Sequence, residues 1–371
     1  MTSTASRVAP LAHPRITGLD VARAIALLGM FAAHVGNAGE YGPGGWRWLI
    51  VAHGRASALF TVLAGVSIAL MLVRKAAPGD PAEDRAAVRH TRIRVAVRAV
   101  LLLVLGWVLA LLATPVDVIL DNLGVMFLFA LVAMRWRPLV LIGVGAAVLA
   151  FGRPLVDGLV DVMPRWLYDL PVLHELWGVH YPALIWIGYV LVGMGIGRLA
   201  PWRGSALASL AVLGAAMAAV AYGVPVALKL LYGTPILWAD PGGAPRSWLD
   251  VYAHSYTAFE TLGNVGVACL AIAACCWLAH VLPRVTWPLA ATGSMTLTLY
   301  SAHIVLIAIV GRDIVFDPSN LNYVALCLAS IAFASVWRWK LGQGPLERAF
   351  TTLSTGIADD DARRARVGAP A

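Results

Sequence analysis

The sequence predicts an all-α, polytopic integral membrane protein with about ten transmembrane helices. Two observations carry that prediction. Only 13% of the residues are charged while 60% are hydrophobic, where a soluble chain would carry about 25% charged residues. Several windows also reach the ~20 consecutive apolar residues that cross a bilayer. Nearly all of the 371 residues are taken up by such spans and short loops, which leaves no separate soluble domain. The net charge of +8 is distributed among loop ends, the pattern of cytoplasmic loops rather than of a nucleic-acid binder.

Taken in order, the apolar runs predict spans at 17–36, 55–74, 95–113, 117–134, 138–152, 181–200, 205–232, 259–282, 288–310 and 321–339. The first run starts late and has no small-residue cleavage site after it, so it is expected to stay as a helix. The second closes on Arg74 and Lys75, and the third follows a basic loop that carries Arg85, Arg89, Arg92 and Arg94. The fourth and fifth are short and joined by Arg135-Trp136-Arg137-Pro138, which leaves the fifth tilted or incomplete. Alternating sides from the basic loop puts Arg198, Arg203, Arg284, Arg338 and Lys340 on its side of the membrane. Both termini are then cytoplasmic, in a plasma (inner) membrane. The loops at 153–180 and 233–258, rich in Trp, Tyr, Pro and Asp, read as structured external caps. Cys269, Cys275, Cys276 and Cys327 lie inside apolar runs and read as packing residues. Trp46, Trp48, Trp166, Trp177 and Trp248 read as interfacial-belt residues. No internal repeat is found. The expected organisation is a cytoplasmic segment at 1–14, a membrane domain at 15–350 and a disordered cytoplasmic tail at 351–371.

Charged and imidazole side chains inside spans are costly and mark function by default. The first span carries Asp20 and Arg23 near one end and His34 at the other. The eleven residues between Arg23 and His34 make about three turns, so the two share a face roughly 16 Å apart. With this topology the polar residues fall into two groups. The external one holds His34, His53, Arg55, Asp117, Asp121, Asn122, His180, His254, Glu260 and, deeper, His303. Its imidazoles and carboxylates suit proton transfer. Asp117 and Asp121, four apart in the fourth predicted span, are expected to share a helix face. The cytoplasmic group holds Asp20, Arg23, Arg92, Arg94 and Arg98, and its arginines suit phosphate. No spacing supports a metal site.

The run Leu19-Asp20-Val21-Ala22-Arg23 through His34 resembles the opening helix of the transmembrane acyltransferase superfamily, in the bacterial branch of the heparan-α-glucosaminide N-acetyltransferase-like family. Gly54-Arg55-Ala56-Ser57, Asp121-Asn122-Leu123-Gly124, Gly293-Ser294-Met295 and Gly344-Pro345-Leu346-Glu347-Arg348 resemble later segments of that branch, in the same order. The resemblance covers most of 15–350. It implies a cytosolic acyl-CoA donor, acetyl-CoA above all, and an acceptor hydroxyl or amine on an extracytoplasmic glycan or glycolipid of the cell envelope. It is compatible with a homodimer. It also implies that the histidine closing the first span, here His34, is essential, as in the O-acyltransferases. The heparan enzymes instead use a histidine in the following loop, where this chain has Gly44, Gly45 and Trp46. The expected catalytic set is therefore His34, with His53, Asp117 and Asp121. Asp20, Arg23, Arg92, Arg94 and Arg98 are expected to bind the donor. Arg55, Asn122, His180, His254, Glu260 and His303 are expected to bind the acceptor. The rival reading is a multi-pass transporter or flippase for a lipid-linked or sugar substrate.

Overall fold

The structure is a computed structural model that describes residues 15–39, 45–73, 81–170, 173–178, 180–233, 238–239 and 245–367. The expected N-terminal segment 1–14, the loop position Gly44 and the basic residues Arg74 and Lys75 lie outside the described residues. The helices run α1 (Thr17–Val35), α2 (Arg55–Val73), α3 (Pro81–Ala110), α4 (Leu120–Ala133) and α5 (Pro138–Val162). They continue with α6 (Arg165–Tyr168), α7 (His174–Trp177), α8 (Ala183–Leu199), α9 (Gly204–Tyr232) and α10 (Ala258–Val281). The last five are α11 (Pro283–Gly293), α12 (Thr296–Val310), α13 (Asp313–Phe316), α14 (Asn320–Leu341) and α15 (Pro345–Val367). A 3-10 turn, Arg47–Ala52, precedes α2, and a two-residue hairpin pairs Trp238–Ala239 with Pro245–Arg246.

Among the described residues, seven helices are long and apolar enough to cross a membrane, or eight if the bent pair α11 and α12 counts as one. By length and composition, the expected ten are therefore borne out only as far as seven or eight. The fourth and sixth expected spans are the shorter apolar helices α4 and α8. The fifth is not short: α5 starts on Pro138, a residue suited to the first helical turn, and runs through Pro154 to Val162. Residues 153–162 are thus helix, not cap. The expected ninth span is broken, with a 62° bend between α11 and α12.

α8 is buried on nearly every side, from Ile185 to Gly197. Membrane helices gain their packing from close backbone approach, which needs small residues. A Cβ at Gly65 of α2 would overlap the carbonyl of Val190 in α8, and one at Gly193 would overlap the carbonyl of Val62 in α2. α1, α2, α8 and α10 form the interior, while α9 and α14 show mostly exposed apolar side chains, as lipid-facing helices do. Cys269, Cys275 and Cys276 pack in the interior, and Cys327 is half-buried.

The broken span sets up the site. Gly293 at the end of α11 lies against the backbone of Asp20 and Ala24 in α1. Ten residues on, His303 of α12 meets His34 near the other end of α1. The bent pair therefore follows α1 along its length in the same direction. The start of α14 is tied to this second end, where Ser319 N–H donates to the Val35 carbonyl and Asn37 N–H to Asn320 Oδ1.

The segment expected to be a disordered tail is helix α15 as far as Val367. Asp359, Asp360 and Asp361 look like a solvated acidic run, but each meets a partner side chain: His90 at 2.7 Å, Arg363 at 2.8 Å and Arg89 at 2.7 Å respectively. Two of those partners lie on α3, and α15 buries Ser354 and Ala358. Pairing of this kind depends on which helix lies opposite.

Candidate functional site

The polar residues form two clusters, one at each end of α1. At the Arg23 end, Asp20 is 3% exposed and accepts from Arg15 and, at 2.5 Å, from Arg23 Nη1. Arg23 Nη2 donates to Ser67 Oγ of α2 at 2.8 Å. Arg94 and Arg98, four apart on α3, share a helix face. Arg98 donates to Ser354 Oγ at 3.3 Å and Thr351 Oγ1 at 3.2 Å, both on α15. A cavity of about 350 Å³ is lined by Arg15, Asp20, Arg23, Ser67, Arg94, Arg98 and Thr351. Four guanidiniums there face one carboxylate, a surplus of positive charge that suits an anion with several oxygens. Arg92 is exposed and does not line this cavity. On a helix it points away from the face that Arg94 and Arg98 share. An apolar cleft of about 1000 Å³, lined by Leu207, Ala211, Leu270 and Trp277 among others, adjoins the cavity at Arg15 and Ile16.

At the other end, His34 Nδ1 lies 3.0 Å from His303 Nε2. His303 is 2% exposed and packed between Phe31 and Tyr300, with ring centroids 4.8 Å and 5.0 Å away. The Tyr300 hydroxyl accepts the N–H of Ile119 at 3.2 Å, which holds segment 114–119 beside the pair. Asp117 of that segment accepts from His180 Nδ1 at 2.7 Å and is in electrostatic reach of His34 and His254. His53, at the end of the 3-10 turn, is in reach of His34 and His254. The structure thus gathers His34, His53, Asp117, His180, His254 and His303 from six separate stretches of chain.

Asp121 is not part of a carboxylate pair with Asp117, which corrects the expected shared face. α4 begins only at Leu120, so Asp117 sits in the irregular connection before it. Asp121 turns inward, accepting the Asn122 N–H at 2.8 Å and Asn122 Nδ2 at 3.1 Å. Asn122 is engaged there as well.

The loop before α10 is built by one buried carboxylate. Thr257 caps α10 by accepting the Glu260 N–H at 3.0 Å, the first half of a capping box. Glu260, 3% exposed, reaches back to the N–H groups of His254 at 3.0 Å and Tyr256 at 2.5 Å. It also accepts from Ser255 Oγ and Asn264 Nδ2. His254 and Tyr256 both adopt left-handed backbone, φ 63° and 55°, an uncommon conformation that persists only when surroundings hold it. Glu260 supplies those anchors, so its oxygens are spent on shaping the loop. Arg55 has a similar part: it donates to Tyr222 Oη at 2.7 Å and to the carbonyls of His53 and Val251.

The Tyr256 hydroxyl donates to the His180 carbonyl, so its oxygen is left to accept from His254 Nδ1 at 3.0 Å. His254 Nε2 is then the bare nitrogen. Burial pushes His254 down to about 4, with His180 adding to the shift, so it is a neutral ring at physiological pH.

His180 and Asp117 shift each other in opposite directions. Their hydrogen bond raises His180 and lowers Asp117 from their ordinary values of 6.5 and 3.8. The His180 contribution to stability is present in full below its ordinary value and lost as pH rises through the raised one. The Asp117 contribution is present above its ordinary value and lost as pH falls through the lowered one. The pair is therefore intact between about pH 4 and 6.5, and somewhat beyond on both sides. A titration of the His180 ring protons by NMR should show a midpoint above 6.5, and Asp117→Asn should return it to about 6.5. A midpoint that Asp117→Asn leaves in place would assign the shift to another neighbour.

Several residues of these clusters escaped the sequence reading. Ser67, Thr351 and Ser354 are small polar residues with no pattern of their own. Tyr256 and Tyr300 were not singled out. Thr257-Ala258-Phe259-Glu260 did carry a signal, the spacing of a capping box.

A membrane helical bundle with an arginine-lined cavity at one end of α1 and an imidazole cluster at the other has the layout of a membrane acyltransferase. Residues 15–224, more than half of the chain, match the family described as heparan-alpha-glucosaminide N-acetyltransferase, catalytic, and the chain belongs to that family. It is a family of membrane acetyltransferases whose donor is acetyl-CoA. The match takes in α1 to α8 and most of α9. It stops before His254, Glu260 and His303. No curated protein is similar enough to the chain to count as a match.

Proposed function

We propose that the protein moves an acetyl group from cytosolic acetyl-CoA to a hydroxyl or amine on an extracytoplasmic glycan or glycolipid. The observation that carries this reading is the pairing of an arginine-lined cavity and an imidazole cluster at opposite ends of one helix, α1. Arg23, Arg94 and Arg98, with Arg15, would meet the phosphates of CoA. The donor's pantetheine arm would follow α1 and the bent pair toward His34. There His34 would take the acceptor proton as general base, while His53, Asp117, His180 and His254 line the acceptor side. The Lys/Arg bias puts the arginine cavity and both termini in the cytoplasm. Purified protein in liposomes should consume acetyl-CoA with release of free thiol. A protein that binds CoA but releases no thiol with any envelope-glycan acceptor would be a carrier, not a transferase.

Two expected results follow for the parts. Charge-assisted hydrogen bonds contribute about 1.5–3 kcal/mol each, so Arg98→Ala should weaken CoA binding by roughly tenfold or more. Unchanged affinity by calorimetry would leave Arg98 as a brace for α15 through Thr351 and Ser354. For orientation, a single cysteine at Gly44 in a cysteine-free background should react with an impermeant thiol reagent in intact cells, and one at Gly79 should not. The opposite pattern would invert the assignment.

A further inference from the structure

We propose that His303 is a positioning residue that holds the proton of His34 on Nδ1, leaving Nε2 as the nitrogen that reacts. The inference rests on the acetyltransferase reading only for what that nitrogen does.

The argument begins with the contact. The two rings are inclined by 13° with centroids 5.2 Å apart, while Nδ1 and Nε2 are 3.0 Å apart. The centroid distance exceeds the nitrogen contact by about two ring radii, so the rings meet edge to edge, nearly in one plane. That is the geometry of an in-line N–H···N bond, not of a face-to-face stack. A neutral imidazole has one N–H and one lone pair, so a single proton lies between the rings, and either could own it.

The far side of His303 decides. Its Nδ1 is buried and makes no hydrogen bond of good geometry, and the ring is in reach of the Leu299 and Tyr300 carbonyls one turn back in its own helix; with Nε2 turned to His34, those carbonyls fall to the Nδ1 side. Carbonyl oxygens only accept. A lone pair on Nδ1 would face their lone pairs, whereas an N–H there faces acceptors, so the proton belongs on His303 Nδ1. His303 Nε2 is then bare and can only accept. The proton in the 3.0 Å contact must come from His34 Nδ1, and the lone pair of His34 falls on Nε2.

The surroundings keep this arrangement in place. Phe31 and Tyr300 both pack on the His303 ring, and the Tyr300 hydroxyl is itself tied to Ile119 N–H. His34 is half-buried where His303 is almost wholly enclosed, so the acceptor meets His34 and not its partner. In the transfer step the acceptor O–H or N–H proton passes to His34 Nε2 as the acceptor atom bonds to the thioester carbonyl carbon. The C–S bond then breaks, and the leaving thiolate recovers the proton from Nε2. While His34 is cationic its bond to His303 becomes charge-assisted and stronger, which favours the state in which the proton has moved. His303 thus moves from the acceptor-binding set to a supporting role behind the base.

Protein with ¹⁵N-labelled histidine rings tests this by NMR, with the His34 signals identified by their loss in His34→Asn. The wild type should show His34 protonated at Nδ1 and bare at Nε2. His303→Gln, whose side-chain oxygen can still accept, should keep that tautomer and retain transfer within about tenfold. His303→Leu removes the acceptor; it should give a tautomer mixture and lower kcat by about 10²- to 10⁴-fold, with KM for acetyl-CoA unchanged. A wild-type His34 carrying its proton on Nε2 would overturn the proposal whether or not any variant folds. So would an unaltered tautomer in a folded His303→Leu protein. If the tautomers behave as described but no form of the protein transfers acetyl, the acetyltransferase reading fails and the positioning role of His303 stands.

Discussion

His34→Ala is expected to lower acetyl transfer by about two to four orders of magnitude, the range for a lost acid–base group, with acetyl-CoA binding near normal. The donor cavity at Asp20 and Arg23 lies three turns away on α1, so its arginines keep their places. A modest loss of stability should accompany the change, because His303 Nε2 loses its 3.0 Å partner, and an unsatisfied buried acceptor costs about 1–3 kcal/mol. Melting curves separate that loss from the catalytic one. His34→Asn is the sharper probe, since asparagine keeps a polar side chain there without a titratable nitrogen. If His34→Asn transfers acetyl at nearly the wild-type rate while His53→Ala does not, His53 is the base.

Gly293→Ala is expected to destabilise the bundle by at least about 3 kcal/mol, the upper part of the range for overpacked sites. A Cβ there would overlap the Asp20 carbonyl and press on the Ala24 N–H, both backbone atoms of α1 that cannot swing aside as a side chain would. α11 must move off α1, and the bend that carries His303 to His34 moves with it. Donor binding should fall too, because Asp20 holds Arg15 and Arg23 in the cavity. Gly143→Ala is the control: nothing lies within 4 Å of a Cβ at Gly143, so this change should be neutral or slightly stabilising. Equal melting temperatures for the two variants would show that the α1–α11 contact yields easily.

Much of the bundle was legible in the chain because lipid permits few solutions. A spanning segment must satisfy its own backbone groups, so an apolar run of sufficient length is a helix. That logic located α1, α2, α9, α10 and α14 to within a few residues. It also located α8 and α4 to within three residues, but α8, enclosed by other helices, has only 17 residues, and α4 has 14 with Asp117 left outside it, so neither reaches the length of a span. Hydropathy reports that a run is apolar, not whether its neighbours are lipid or protein.

The site divides along the same line. The sequence by itself determined that Asp20, Arg23 and His34 share one face of one helix, because helical periodicity acts within a segment. It also determined the chemical character of the two groups, arginine in one and imidazole with carboxylate in the other. Only the tertiary structure decided which members meet. Arg94 and Arg98 reach the cavity and Arg92 does not, because α15 and α2 lie against one face of α3. Glu260 holds a strained loop, Asp121 turns inward to Asn122, and the acidic run of α15 pairs with α3. His303, 269 residues from His34 in the chain, becomes its hydrogen-bond partner because the bend after Gly293 lets α12 follow α1. Contacts between distant segments depend on helix packing and on bends set by close backbone approach, and neither leaves a periodic trace in the chain.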